Sequence, residues 1–143
     1  DNARTPMQWT AGAQAGFTSG TPWLRVNPNY PRINAADAMR DPHSIYHHYR
    51  ALIQLRKTQR VIQDGDYSPL LAEHPQIFAY RRENDAATLL VLANFYGEGA
   101  KAPLADTAGY QLLLGNYADS PALLAEKVLL RPYEALVYLR QKV

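Results

Sequence analysis

The sequence predicts a mainly β protein in which a C-terminal antiparallel β-sandwich follows a long loop and one helix. From residue 65 to the C-terminus, short apolar runs alternate with turn residues at the spacing typical of antiparallel sandwiches. Apolar residues with a spacing of three and four mark a helix in residues 41–60. Glycine, proline and asparagine interrupt residues 1–35, which opposes regular structure there.

The first element is therefore expected to be a loop over residues 1–35. A loop of this length is uncommon in a compact domain unless it is functional or packs on something else. We expect it to cover another domain, with its large apolar side chains as anchors. These are Phe17, Trp23, Leu24 and Tyr30.

Two helices are expected next. Asn34 is a suitable N-cap for a short helix over residues 35–40. The main helix is expected over residues 41–60, since Asp41 can cap it and Pro42 suits its first position. Its apolar stripe consists of Ile45, Tyr49, Leu52 and Ile53, with Arg56 in line.

Strands make up the rest of the chain. The expected strands are Tyr67–Ala72, Ile77–Arg82, Thr88–Phe95, Lys101–Leu104, Tyr110–Leu114, Val128–Leu130 and Ala135–Leu139. The third is apolar throughout, which indicates burial on both faces. Pro103 would limit the fourth to an edge position. The last two strands, joined by residues 131–134, are expected to form a terminal hairpin.

Composition excludes several classes of function. The 143 residues carry 15 basic and 13 acidic side chains, and this balance does not favour nucleic acid or an anionic membrane as a partner. No apolar stretch approaches the ~18 residues of a membrane span. The chain has no cysteine, so it forms neither disulfides nor thiolate metal sites. We expect a cytoplasmic protein, although a periplasmic location stays open.

A series of short motifs stands in a fixed order along the chain. They are Asp1-Asn2-Ala3-Arg4-Thr5-Pro6-Met7-Gln8-Trp9, Ala15-Gly16-Phe17-Thr18, Pro22-Trp23-Leu24, Val26-Asn27-Pro28-Asn29-Tyr30, Ile33-Asn34, Asp41-Pro42-His43-Ser44-Ile45 and Leu52-Ile53-Gln54-Leu55-Arg56-Lys57. In these motifs the chain resembles the C-terminal part of bacterial α-glucosidases of glycoside hydrolase family 13, the α-amylase superfamily. Within that family it is most similar to oligo-1,6-glucosidases and trehalose-6-phosphate hydrolases, with sucrose isomerases as relatives.

The resemblance implies a domain layout. Residues 1–62 would be the remnant of a (β/α)₈ barrel, comprising the long loop after the last strand and the last helix, 41–60. Residues 63–143 would be an antiparallel β domain like the C-terminal domain of α-amylases. A complete barrel needs ~250 residues, so the catalytic barrel is expected as a partner encoded before Asp1.

The resemblance also implies the chemistry. Retaining glycosidases use two carboxylates ~5–5.5 Å apart, and the family places them on barrel strands upstream of Asp1. We therefore expect no catalytic residue, no metal and no cofactor in this chain, and no hydrolysis by the chain alone. Arg4 matches a family residue that pairs with a carboxylate at the closed end of the −1 sugar pocket, and would contact substrate only in the intact enzyme. The alternative is that Arg4 caps a loop.

Other side chains have two interpretations. His43 and His47 stand four apart on the expected helix, as metal ligands can, but no third ligand is near and we expect a solvent-facing pair. Trp9 and Trp23 could stack on a sugar ring. We favour core or interdomain anchors for both.

Three functional hypotheses follow for the chain. In the first, it is the structural C-terminal part of a retaining α-glucosidase acting on short α-glucosides of the isomalto-oligosaccharide or trehalose-6-phosphate class. In the second, it is an α-glucan-binding β-sandwich with a platform made from Tyr67, Tyr80, Tyr96, Tyr110, Tyr117 and Tyr133. In the third, the uncovered helix face drives self-association, because apolar patches above ~400 Å² seldom stay exposed.

Overall fold

The computed structural model describes residues 2–142, which form two compact units. One unit ends at Ile53 and the other begins at Gln54. The helices are α1 (Ala35–Arg40), α2 (Ile45–Thr58) and α3 (Val61–Asp64). The strands are β1 (Asp66–Leu70), β2 (Ile77–Glu83), β3 (Ala87–Asn94), β4 (Ala100–Ala102), β5 (Gln111–Gly115), β6 (Val128–Leu130) and β7 (Ala135–Gln141).

The loop of the first unit is held together by its own backbone. It contains 3₁₀ turns at Asn2–Arg4 and Ala13–Gly16. The N–H groups of Trp9 and Thr10 both donate to the carbonyl oxygen of Ala15, at 2.9 and 3.0 Å. Because a buried backbone group without a partner costs free energy, these bonds let an irregular segment keep one path.

Helix α1 begins where the sequence predicts. The Asn34 side chain accepts a hydrogen bond from the backbone N–H of Asp37 at 3.0 Å, as an N-cap should. Asp37 in turn pairs with Arg40 at 2.9 Å. This short helix is thus specified by local polar contacts, because none of its residues is buried.

Helix α2 is shorter than the predicted 41–60 at both ends. Its first residue is Ile45 and its last is Thr58. The prediction that Asp41 caps this helix is wrong, because the Asp41 carboxylate accepts the N–H of His43 at 2.9 Å in a tight turn. The backbone N–H of Ser44 also donates to the Asp41 carbonyl, so a turn separates α1 from α2.

The second unit is an antiparallel sandwich, as the sequence predicts. A five-stranded sheet has the order β1-β2-β3-β7-β5, and β4 pairs with β6 in a second sheet. The core lies between the two sheets. Its members include Leu90, Leu92, Ala100, Ala102, Leu130, Leu136 and Tyr138.

Strand β3 is buried on both faces, which confirms the interpretation of its continuous apolar run. Leu90 and Leu92 point into the sandwich core, whereas Leu89 points to the opposite face. On that opposite face Leu89 belongs to a second buried cluster with Leu139 of β7 and Val61 of α3. Helix α3 therefore packs on the sheet. The domain limits 1–62 and 63–143 remain a prediction.

The predicted terminal hairpin of the last two strands is wrong. Strand β6 pairs with β4, while β7 pairs with β3 and β5, so the chain changes sheet between them. Tyr133 has a φ of 54° at this corner. The Asn116 side chain fixes the corner, donating to the Tyr133 carbonyl at 2.8 Å and accepting from the Ala135 N–H at 2.9 Å.

A salt-bridge network supports the same corner. The buried Glu134 carboxylate accepts from the backbone N–H of Arg131 at 2.8 Å and from its guanidinium at 2.6 Å. Asp119 binds the other side of that guanidinium at 2.6 Å. The hydrogen bond to Glu134 makes the largest contribution to raising the pKa of Arg131, and the hydrogen bond to Asp119 adds to it. The hydrogen bond from Arg131 in turn lowers the pKa of Asp119. Residues 131–134 therefore adopt a clamped corner in place of a hairpin turn.

We expect Gly65→Ala to lower the free energy of unfolding by about 1–3 kcal/mol, as overpacking does. A Cβ at Gly65 would lie 2.5 Å from the Val61 carbonyl oxygen and 3.0 Å from the Glu83 nitrogen, and backbone atoms cannot move aside easily. Urea unfolding monitored by circular dichroism measures the effect. Gly99→Ala is the matched control, since its nearest atom, the Leu130 carbonyl oxygen, is 3.5 Å away. Equal midpoints for both variants would contradict the prediction.

Candidate functional site

Arg4 lies on the first 3₁₀ turn and is exposed within its unit. Its guanidinium carbon lies over the Trp23 ring, 5.7 Å from the ring centroid. A guanidinium at this distance is attracted by the ring face. Trp23 can therefore help to orient the planar guanidinium of Arg4. The substrate-pocket role of Arg4 stays a prediction.

Gln8 fixes the path of the chain just after Arg4. Its side-chain amide nitrogen donates to the Asn29 side-chain oxygen at 2.9 Å and to the Ile33 carbonyl oxygen at 2.5 Å. Its own carbonyl accepts from the Ala35 N–H at 2.9 Å. The first motif is thereby tied to the segment that leads into α1. Sequence reasoning missed this role, although the position of Gln8 inside the most specific motif was a usable signal.

A left-handed turn follows the same motif. Gln14, Ala15 and Gly16 have φ values of 50°, 56° and 67°, in the region that favours glycine. Ala15 is fully buried, and a Cβ at Gly16 would lie 2.6 Å from the Thr10 hydroxyl oxygen. Strain of this kind concentrates at functional sites, where the surrounding structure imposes it. Of these three residues, only Gly16 is of a type that favours a left-handed backbone and so could indicate the turn from the sequence.

The carboxylates of the first unit serve local structure. Within residues 2–53 they belong to Asp37 and Asp41. Asp37 pairs with Arg40 and accepts from the Asn34 side chain, while Asp41 accepts from the His43 N–H. Each is engaged by neighbours along the chain, so the described residues 2–53 do not present the pair of unengaged carboxylates that retaining glycosidases use.

Trp9 and Trp23 are exposed within their unit, at 52% and 80% of their surface. A core position is therefore wrong for both. Large exposed aromatic side chains on a loop that hydrogen bonds hold in place are suited to contact with another domain or with a sugar ring. Both of those uses remain predictions.

His43 and His47, which were expected to be a solvent-facing pair, have local partners. A ring nitrogen of His47 lies 3.0 Å from the Met39 carbonyl oxygen, and the Tyr46 ring packs edge-on against His47 at 5.1 Å. The His43 backbone is part of the Asp41 turn. Across residues 2–142, His, Asp and Glu side chains form no group of three that could hold a metal ion.

The tyrosines of the predicted glucan platform lie in different places. Tyr67 and Tyr80 are neighbours, with ring centroids 5.4 Å apart and planes inclined by 36°. Arg140 covers Tyr110 at 4.5 Å, and Arg131 covers Tyr117 at 3.9 Å. Burial also raises the pKa of Tyr110. The described geometry therefore brings together one inclined pair instead of a flat platform.

None of the helices in the part of the chain that the structure describes has the length and apolar content needed to cross a membrane.

Two family models match the chain. Residues 1–65 match the model described as "Alpha amylase, catalytic domain". Residues 77–137 match "Alpha-amylase SusG C-terminal domain". The matches follow one another in the order that the motifs imply.

Curated relatives match across almost the whole chain. It is 48% identical to an oligo-1,6-glucosidase of Halalkalibacterium halodurans over 97% of its length, covering 25% of that protein. It is 43% identical to a trehalose-6-phosphate hydrolase of Bacillus subtilis over 96% of its length, again covering 25%. The chain thus spans about a quarter of the length of these relatives.

Solved structures agree with these matches. The trehalose-6-phosphate hydrolase of Bacillus licheniformis superposes with a TM-score of 0.91 at 41% identity, over 99% of this chain and 26% of that one. The trehalulose synthase of Pseudomonas mesoacidophila gives a TM-score of 0.89 at 40% identity, with the same coverage. Likeness at this level extends through the loop, the helices and the sandwich.

Proposed function

Because this chain belongs to the α-amylase family of glycoside hydrolases, we propose that it is the C-terminal part of a retaining α-glucosidase acting on short α-glucosides. The observation that carries the proposal is the match of nearly the whole chain, at 41–48% identity, to oligo-1,6-glucosidases and trehalose-6-phosphate hydrolases. The substrate class is accordingly isomalto-oligosaccharide or trehalose 6-phosphate. The bond-breaking carboxylates belong to a catalytic barrel that this chain completes.

In this proposal Arg4 is the contribution of the chain to the sugar pocket. Its stacking on Trp23, 5.7 Å from the ring centroid, and the Gln8 hydrogen bonds fix the segment that carries it. A guanidinium held in this way can grip a pocket carboxylate through two parallel hydrogen bonds. That grip would position a wall of the pocket and transfer no proton itself.

The sandwich is structural in this proposal. The charged groups of Arg131, Asp119 and Glu134 pair with one another. The guanidinium groups of Arg140 and Arg131 lie over the rings of Tyr110 and Tyr117. Those groups are engaged within the fold and so are poorly suited to grip a sugar. The sandwich then contributes stability and a surface for the barrel.

Two further points belong to the proposal. The cytoplasmic location expected from the composition is part of it. The second point is self-association of the isolated chain through the apolar stripe of α2, because Ile45, Tyr49 and Ile53 are exposed within their unit. In the complete enzyme we expect the barrel to cover that stripe instead.

We expect the chain alone to give no measurable release of p-nitrophenol from p-nitrophenyl α-glucoside. The reason is that retaining chemistry needs two carboxylates ~5–5.5 Å apart. We expect an enzyme that joins this chain to its catalytic barrel to hydrolyse the same compound, and to prefer either isomaltose or trehalose 6-phosphate. A colorimetric assay and a glucose-release assay measure both. Turnover by the chain alone, or a complete enzyme inert to all three compounds, would overturn the proposal.

A further inference from the structure

Four aromatic side chains form a continuous row on the outer face of the five-stranded sheet, the face away from the sandwich core. In spatial order this aromatic row is Tyr67, Tyr80, Phe78 and Phe95. Successive ring centroids lie 5.4, 5.6 and 6.4 Å apart. Tyr67, Phe78 and Phe95 are exposed over 52%, 50% and 66% of their surface, so the row is open in the described structure.

Toward β3 and β7 the surroundings of the aromatic row are apolar, whereas Arg82 lies opposite Tyr67 at the other end of the row. Register places Val91 beside Tyr80 and Ala93 beside Phe78, and Val137 lies opposite Val91 on the next strand. These three side chains are only partly buried. The row and its aliphatic neighbours thus make one contiguous apolar surface, of the kind that marks an interaction site on a folded protein.

The other half of the same face is already covered. Val61 of α3 packs there against Leu89 and Leu139. Arg82 secures this cover, since its guanidinium donates to the Gly65 carbonyl oxygen at 2.7 Å. The outer face therefore carries a packed half under α3 and an open half formed by the aromatic row.

The end of α2 is fastened to the element that covers this face. The Gln63 side chain of α3 donates to the Arg56 carbonyl oxygen of α2 at 2.5 Å. Only Gln59 and Arg60 separate the two helices. In the layout implied by the family, α2 is the last helix of the barrel, so the barrel joins the sandwich beside its outer face.

We propose that the aromatic row is the surface on which the catalytic barrel packs in the complete enzyme. This inference rests on the proposed function, which supplies the barrel as partner. The matched relatives are about four times as long as this chain, so a partner of sufficient size belongs to the same polypeptide in them. Apolar, aromatic surfaces without charged centres are typical of permanent interfaces.

The geometry favours a protein partner over a glucan. Neighbouring rings are inclined by 36°, 55° and 71°, so the aromatic row offers no flat surface for consecutive sugar rings. Val91, Ala93 and Val137 have no side-chain groups to hydrogen-bond sugar hydroxyls. Inclined rings do interdigitate with the side chains of a packed protein surface.

Hydroxyl-radical footprinting of the complete enzyme and of this chain alone tests the proposal directly. We expect Phe78, Tyr80 and Phe95 to be labelled about fivefold less in the complete enzyme, because an interface core excludes water. Leu129 is the internal control: it lies on the second sheet, is 64% exposed, and should be labelled equally in both proteins. Equal labelling of the aromatic row in both proteins would overturn the proposal.

A double variant, Phe78→Ser with Phe95→Ser, provides the second measurement. We expect it to lower the Tm of the complete enzyme while leaving the Tm of the isolated chain nearly unchanged, since exposed substitutions have small effects. Leu129→Ser is the matched control and should change neither Tm. A loss of Tm in the isolated chain as large as that in the complete enzyme would count against an interface.

Two other occupants are outcomes of the same experiments. Protection of the aromatic row that appears only on adding maltose or isomaltose would assign it to a glucan and overturn the proposal. Protection that rises with enzyme concentration, together with a dimer in sedimentation, would assign it to a second copy. Neither readout uses catalysis, so a protected row in an enzyme inert to α-glucosides would refute the proposed function alone.

Discussion

Replacing Leu92 with alanine is expected to lower the free energy of unfolding of this chain by about 2–5 kcal/mol, as large-to-small core substitutions do. Leu92 has no exposed surface. It lies in β3, opposite Ala79 on one side and Leu136 on the other, and faces the second sheet. Removing its isobutyl group leaves a cavity that rigid strands on both sides cannot close.

A loss of that size is a large part of the ~5–15 kcal/mol by which domains are stable. Urea denaturation followed by circular dichroism measures it. Leu129→Ala is the matched control, because Leu129 has the same side chain but lies exposed on β6. We expect the control to change the midpoint little. Similar midpoints for both variants would show that the space between the sheets is not the core.

Replacing Arg4 with alanine in the complete enzyme is expected to lower kcat/KM for its α-glucoside by about 100-fold, the size of effect that follows misplacement of a positioning group. The proposed role of Arg4 is to hold a pocket carboxylate through a bidentate contact. Arg4→Lys should restore little of the activity, since an ammonium group keeps the charge but lacks the planar fork.

Steady-state kinetics on isomaltose, trehalose 6-phosphate and p-nitrophenyl α-glucoside measure the effect. Arg25→Ala is the matched control, because Arg25 is an exposed arginine of the same loop. The Tm of each variant separates a lost contact from a lost fold. If Arg4→Ala retains nearly the activity of the control at equal Tm, Arg4 serves the loop alone.

Much of the fold could be predicted where the signal is local. The Asn34 cap, the continuous apolar run of β3 and the edge position of β4 beside Pro103 all appear as expected. Each depends on residues within a few positions of one another. The predicted start of α2 was wrong because an aspartate carboxylate can either cap a helix or close a tight turn, and Asp41 closes a turn.

The substrate-pocket role of Arg4 stays a prediction, and the contacts around Arg4 were not foreseen. The first motif pointed to Arg4, but it did not reveal that Trp23 stacks on Arg4 or that Gln8 bonds to Asn29 and Ile33. These contacts join residues about 20 or more positions apart. No periodicity or propensity encodes such pairs, because they depend on how the whole loop is folded.

By itself, the sequence determined the family, the order of loop, helix and strands, and the sandwich class, because motifs and hydrophobic periods are properties of neighbouring residues. Tertiary structure alone decided which strands pair. Strands β6 and β7, adjacent in sequence, enter different sheets because Asn116 and Glu134 fix a corner between them. Tertiary structure also decided which aromatic residues meet, since the aromatic row joins side chains from different strands and loops. The physical reason is that long-range pairing is selected by burial of the whole core, and a local pattern does not contain that information.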